Sequence, residues 1–167
     1  MIIIGEKAKQ FVSEYVKVNP AGIDMRPKKV FRIPFEKIDY IFLEGKNRGY
    51  YVNGEFKRLV DVLEEVKPKN NYWELDTGYY YVVFPKVKIP PNVLALSFPR
   101  STLNRLGIHK FETAVFDPGY EGEFNQTFYF PKKAKIHINE AWIQLVFFRL
   151  EEEAKQLYNG YWQNERY

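Results

Sequence analysis

From residue 72 onward, apolar residues come in short runs separated by Gly, Pro, Asn or Asp. The runs YWEL, GYYYVVF, KVKI, VLALSF, AVF, FNQTFYF, AKIHI and AWIQLVFFRL are mostly of strand length and rich in aromatic and β-branched residues. Such runs predict strand after strand. Many short strands with frequent turns point to a sandwich, barrel or jelly roll. One segment, STLNRLGI at 101–108, interrupts the series. It opens on Ser101 and Thr102, residue types that cap helix N-termini, and it reaches Gly107, a residue type that ends helices. A short helix is predicted there.

The first seventy residues are less regular. EKAKQFVSEYVK, 6–17, sets Phe11, Tyr15 and Val16 at roughly helical spacing among charges and predicts a short helix. VNPAGIDMRPKK is punctuated by Pro20, Gly22 and Pro27, and reads as a turn into a short extended piece. Asn53-Gly54 between apolar runs is a hairpin signal. LVDVLEEV at 59–66 reads equally as a helical turn or a strand end. The end of the chain, EEEAKQLYNGYWQNERY, is polar and aromatic around a Gly turn, and it need not pack on the core. No repeat, low-complexity tract or linker divides the chain. One domain over 1–167 is expected, with about 150–167 as a mobile tail.

Composition narrows the chemistry. At 46% apolar residues, the 167-residue chain has enough to bury a core and is not a disordered one. It contains no cysteine, which removes disulfides, thiolate catalysis and cysteine-ligated metals. With only two histidines, His109 and His137, a His-rich zinc site is not expected. Any metal would be a hard cation held by oxygen, such as Mg2+. The net charge of +4 favours an anionic ligand. The basic residues are dispersed, however. KPK at 67–69 and KK at 132–133 read as solvated loop charges, so no nucleic-acid polymer is expected as partner. The MIII start is too short for a signal or membrane segment, and a cytoplasmic location is the default expectation.

Three stretches carry candidate chemistry. In FPRSTLNRLG, 98–107, a strand gives way to a helix start bearing Arg100, Ser101, Thr102 and Arg105. Guanidinium and hydroxyl groups there suit a phosphate, or else make a capped helix with surface ion pairs. In VFDPGYEGE, 115–123, Asp117 opens an Asp-Pro-Gly turn between apolar strands. It is either turn chemistry or a carboxylate at a hairpin mouth, able to orient or deprotonate water, with Tyr120 as a stacking platform. In NPAGIDMR, 19–26, Asp24 is a second acid in a constrained stretch, two residues from Arg26. Gln144, in WIQLVFF, is a lone amide in an apolar strand, facing solvent or buried with partners.

Taken in order, PAGIDMR, PRSTLNRLGI, VFDPGYEGE, IQLVF and LYNGYWQ resemble the superfamily of dUTPases and dCTP deaminases, over most of residues 19–163. The Arg-Ser helix and the Tyr-Asn-Gly tail are closer to the deaminase branch. The resemblance implies a mainly β fold, a distorted β jelly roll (β-clip) with short helices. It also implies a homotrimer with active sites between subunits, and a deoxynucleoside triphosphate bound with Mg2+. Deaminases of this superfamily carry a glutamate ten positions after the Asp-Pro-Gly aspartate, where it activates water against the cytosine ring. Ten positions after Asp117 stands Thr127, which cannot act as that base. Tyr161 replaces a frequent tail lysine, and Thr113-Ala114 replace a frequent Ala-His pair.

By resemblance, then, the chain is expected to be a dUTP diphosphatase, releasing dUMP and pyrophosphate. Asp117 would activate the water that attacks the α-phosphorus. Arg100, Ser101, Thr102 and Gln144 would bind phosphates, and Arg105 would reach the phosphates or the base site. Thr113, Ala114, Val115 and Phe116 would read the uracil edge by their backbone, and Tyr120 would pack on the deoxyribose. Tyr158 and Gln163, with Tyr161, would close over the substrate as a lid. Asp24 would be an outer-sphere partner of the metal or a structural residue. The alternatives are a dCTP deaminase or bifunctional enzyme, with Glu123 as its base; a non-catalytic nucleotide-binding module; and a purely structural β-domain.

Overall fold

The structure is a computed structural model that describes residues 1–112, 115–164 and 166–167. It is mainly β, with every strand pairing antiparallel. Among these residues no helix is long and apolar enough to cross a membrane.

Two larger sheets position the site. The first is organised by the strand Ile143–Arg149. One edge pairs along its whole length with Val93–Pro99, and the other pairs with Ile2–Ile3 and then Gly22–Met25. Alternate residues Ile143, Leu145 and Phe147 are buried. The second sheet runs His109–Lys110, Glu121–Phe130, Gly78–Lys88, Lys29–Arg32, Glu64–Val66. In Glu121–Phe130 the even positions from Gly122 to Phe130 are buried, while Glu121, Asn125 and Thr127 are half-buried on the opposite face.

The main core lies between these sheets. Phe84, Phe124, Phe128, Phe130, Trp142 and Phe147 all have under 4% of their surface exposed. Each aromatic ring removed from water in this way contributes about 2–3 kcal/mol before entropy is counted. A buried hydrogen bond from Ser97 Oγ to Gln126 Oε1, 2.9 Å, ties the two sheets together. Gly78–Lys88 reads as a continuous apolar run because it is buried on both faces. Tyr80, Val82 and Phe84 join the main core, while Tyr81 and Val83 join a second cluster with Ile33 and Tyr50. Beside it, Tyr40–Glu44, Asn47–Val52 and Glu55–Arg58 form a separate three-stranded sheet, and Asn53 and Gly54 take the positive φ angles expected of the hairpin turn.

Four expectations need correction. The helix expected over 6–17 is a single turn, Gly5–Ala8, followed by a 3-10 turn to Phe11. Val12 then bridges Val87 and the Ser13 amide donates to Lys86 O, so pairing overrides helical spacing. KVKI is no separate strand. It continues Gly78–Lys88 through an irregularity in register between Phe84 and Val87. The helix Ser101–Arg105 is capped at its start by the extended Arg100, with no side-chain cap, and Gly107 at φ +77° ends it. The tail does pack, because Tyr158 and Trp162 lie against the main core and Tyr167 against the second cluster. Residues 59–66 are both alternatives in turn, a helical turn Leu59–Val62 and a strand Glu64–Val66.

Candidate active site

Asp117 occupies a tight turn built by its neighbours. The Tyr120 amide donates to Asp117 O at 3.1 Å, Pro118 holds the second position, and Gly119 takes φ +86° at the third, where a side chain would be strained. The turn is fixed to the strand end, since the Gly119 amide donates to Ile89 O and the Ile89 amide to Tyr120 O. The carboxylate is left exposed at the mouth of a pocket of about 320 Å3. Phe116, Tyr120, Phe124, Leu59, Tyr158 and Trp162 form its aromatic and aliphatic walls, and Tyr81, Asn125 and Val115 complete it. Tyr120 is almost fully buried and donates its hydroxyl to Glu123 O at 3.0 Å.

A second pocket, about 510 Å3, is built where three strands meet. Val93–Pro99 delivers Arg100 and Ser101, Ile143–Arg149 delivers Gln144, and Gly22–Met25 delivers Asp24 directly opposite Gln144 in the ladder. Asn19 and Asn104 also line it. Gly22 is required here, since a Cβ would stand 2.5 Å from Leu145 O and 2.9 Å from Gln144 Cγ. Asp24 is 1% exposed and forms a salt bridge to Arg100 through Oδ2, while its Oδ1 is buried with no hydrogen-bond partner. Thr102 faces a larger neighbouring cavity, about 880 Å3, which it shares with Asp24, Arg100, Lys132 and Lys133. Arg105 lies exposed at the end of the helix and lines neither the Asp117 nor the Arg100 pocket.

Nine of the predicted residues therefore fall into two groups, and Thr102, Arg105 and Gln163 line neither pocket. Asp117, Val115, Phe116, Tyr120 and Tyr158 share one pocket, and Arg100, Ser101, Gln144 and Asp24 share the other. The two pockets have no lining residue in common. Thr113 and Ala114 lie outside the described residues.

The tail runs along the Asp117 hairpin. The Tyr158 amide donates to Pro118 O and the Asn164 amide to Glu121 O. Gln163 grips the same hairpin from both ends of its amide, accepting from Glu121 N at 3.0 Å and donating to Gly119 O at 2.9 Å. Arg48 stands 4.9 Å from the Tyr161 ring centroid, and this cation–π contact steadies the outer side.

Thr127 is a half-buried strand residue opposite Tyr81, and its carbonyl accepts from the Phe111 amide. The two nearby acids are engaged. Glu121 pairs with Lys86 and Lys88. Glu123 pairs with Lys28 and accepts from the Tyr167 amide at 3.0 Å. Burial alone would push the Glu123 carboxyl up, but those donors outweigh it and hold the group below its ordinary range. Asn125 and Tyr81 escaped the reading of the sequence. Alternation from Thr127 puts Asn125 on the same face, and that was the available signal. Tyr81 reaches the site only through cross-strand pairing.

Among the described residues no three His, Asp or Glu side chains gather to hold a metal unaided. The orphaned Asp24 Oδ1 fits a hydrated cation held mainly by phosphate oxygens, because it can accept from a metal-bound water.

Comparison with known proteins agrees with this architecture. The crystal structure of 2'-deoxycytidine 5'-triphosphate deaminase from Agrobacterium tumefaciens superposes with a TM-score of 0.62 at 20% identity, over 87% of this chain and 46% of that one. The chain thus spans about half of that protein's length, and the likeness is one of fold, a distorted jelly roll. A probable deoxyuridine 5'-triphosphate nucleotidohydrolase from Methanosarcina mazei is 32% identical over 92% of this chain and 85% of its own. The deoxyuridine 5'-triphosphate nucleotidohydrolase of Methanocaldococcus jannaschii is 36% identical over 73% of each. A dUMP-forming dCTP deaminase from Sulfurihydrogenibium is 27% identical over 99% of this chain and 93% of its own. The profile described as dCTP deaminase-like matches residues 4–150. The chain belongs to the dCTP deaminase-like family.

Proposed function

We propose that this protein is a dUTP diphosphatase, which hydrolyses dUTP to dUMP and pyrophosphate. One observation carries the reading. Asp117 is retained at the mouth of an aromatic pocket, whereas Thr127 stands where the deaminase glutamate is expected, and the neighbouring acids Glu121 and Glu123 are tied to lysines. The names of the archaeal relatives support it.

In this reading the base and sugar enter the Asp117 pocket, with Tyr120 against the deoxyribose. Arg100, Ser101 and Gln144 bind the phosphates, with Thr102 and Arg105 at the margin. Asp117 orients a water and takes its proton. The water oxygen bonds to the α-phosphorus as the bond to the pyrophosphate oxygen breaks, and pyrophosphate leaves. Mg2+ would neutralise phosphate charge, with Asp24 as its outer-sphere partner. The two half-sites are lined by different residues, which supports completion of the site between copies of the chain in a homotrimer. Tyr158, Tyr161 and Gln163 belong to a tail that excludes bulk water. The substrate is a metabolite of the cytoplasm, where the protein is placed in this reading.

The near full-length match to a dUMP-forming dCTP deaminase favours a second reading, in which dCTP is deaminated before hydrolysis. Incubation with dUTP and dCTP separately, with Mg2+, tests both. The first reading expects dUMP from dUTP and unchanged dCTP.

A further inference from the structure

The small sheet of Tyr40–Glu44, Asn47–Val52 and Glu55–Arg58 has two outer strands, and they differ in kind. Glu55–Arg58 carries Glu55, Lys57 and Arg58, charges of the sort that keep an edge from pairing with another chain. Tyr40–Glu44 reads Tyr-Ile-Phe-Leu-Glu, with no Lys or Pro and a single charge at its end. Among the described residues no strand pairs with its outer side. The two-residue turn Gly45-Lys46 closes on the Glu44–Asn47 pair, so by alternation Tyr40 and Phe42 bond inwards to Asn47–Val52. Ile41 and Leu43 then aim their N–H and C=O groups outwards. These two residues are 70% and 73% exposed. On the opposite face Tyr40 stacks on Tyr51 at 4.6 Å between ring centroids, and Phe42 packs on Tyr51 and Phe56 at 5.5 and 5.8 Å. The strand is thus apolar on both faces and open along its backbone. None of its residues lines the Asp117 or the Arg100 pocket.

We propose that this edge pairs antiparallel with the same edge of a second copy of the chain, joining two small sheets into one. A second copy is the occupant because the strand is complementary to itself. With a two-fold axis through Phe42, Ile41 of each copy lies opposite Leu43 of the other, and these are the residues whose N–H and C=O groups are open. The two Phe42 side chains meet in the closer, non-hydrogen-bonded position, which joins the two aromatic clusters on one face. Glu44 falls opposite Tyr40, so the pairing sets no like charges against each other. A lipid surface would cover the apolar side chains but leave the backbone groups unpaired. The contact is separate from the site completed between copies in the hydrolase reading. A single strand pair lies at the weak end of specific interfaces, so the assembly depends on concentration.

Sedimentation equilibrium on the full chain, over a range of concentrations, tests the proposal. Wild type is compared with the double variant Ile41→Lys/Leu43→Lys, whose new side chains stay in solvent and place charge along the edge. At high concentration wild type should reach twice the mass of the variant, and on dilution the two should converge. Whether the smaller unit is a trimer or a single chain is read from the variant alone, so the homotrimer of the hydrolase reading is judged separately. Hydrogen exchange on wild type gives a second measurement that needs no variant. The Ile41 and Leu43 amides should be protected at high concentration and exchange freely on dilution, while the Phe42 amide stays protected at both. Equal masses for wild type and variant at every concentration would overturn the proposal. So would a larger assembly in which the Ile41 and Leu43 amides still exchange freely, since another surface would then hold it.

Discussion

Asp24, 1% exposed, is salt-bridged to Arg100, whose side chain is one-third exposed in the Gln144 pocket. A buried carboxylate thus holds a guanidinium at the edge of a cleft, with five donors to share between carboxylate and ligand. Breaking a buried pair from one side is costly, although partial exposure of Arg100 lowers the cost here. Asp24→Asn should lower stability by about 1–3 kcal/mol and raise KM for dUTP about tenfold or more. Thermal melts and steady-state kinetics check both. Unchanged KM would mean that Arg100 needs no such support.

Asp117→Asn keeps the shape of the turn, because its backbone contacts and Gly119 remain. It removes a proton acceptor and nothing else of size. Turnover of dUTP should fall at least ~100-fold while the non-hydrolysable α,β-imido analogue of dUTP binds as before. Full activity in this variant would remove Asp117 from the mechanism.

Glu123 fastens the tail by accepting from Tyr167 N while paired with Lys28. Its folded pKa is depressed, so its stabilisation is complete above the ordinary value of 4.5 and is lost as pH falls through the lower folded value. Glu123→Gln should cost about 1 kcal/mol at pH 7, a figure kept small because Lys28 is solvent-exposed. The difference from wild type should disappear once pH falls well below 4.5. Melting curves across that range, with hydrogen exchange at the tail amides, provide the measurement.

Lys110 is 3% exposed, and among the described residues its ammonium donates to a single carbonyl, Phe111 O, at 3.3 Å. Burial lowers its pKa from 10.5, partly opposed by Glu112. The folded protein therefore releases this proton earlier than the unfolded chain, so stability rises with pH between the folded value and 10.5. Lys110→Met should stabilise the protein by about 1 kcal/mol at pH 7, and the gain should shrink as pH rises into that window. Chemical denaturation at two pH values decides it.

The strands after residue 72 were legible because alternation in Glu121–Phe130 and Ile143–Arg149 reports burial directly. The Asp-Pro-Gly turn was legible because Gly119 needs positive φ. The early helix was misread because Val12 and Ser13 are claimed by Val87 and Lys86, partners more than seventy residues away. The packing of the tail was missed for a similar reason. It is held by backbone groups of Pro118 and Glu121 and by Tyr81, none of which leaves a periodic mark. Within the site, residue types pointed to Asp117 and Arg100. Only tertiary structure divides them between two pockets and ties Asp24 to Arg100.

The most direct test of the central claim is product analysis after incubating the protein with Mg2+ and either dUTP or dCTP. The account predicts dUMP and pyrophosphate from dUTP, with dCTP recovered intact. Appearance of dUTP or dUMP with ammonia from dCTP would contradict it, and would mean that some residue other than Thr127 supplies the deaminase base.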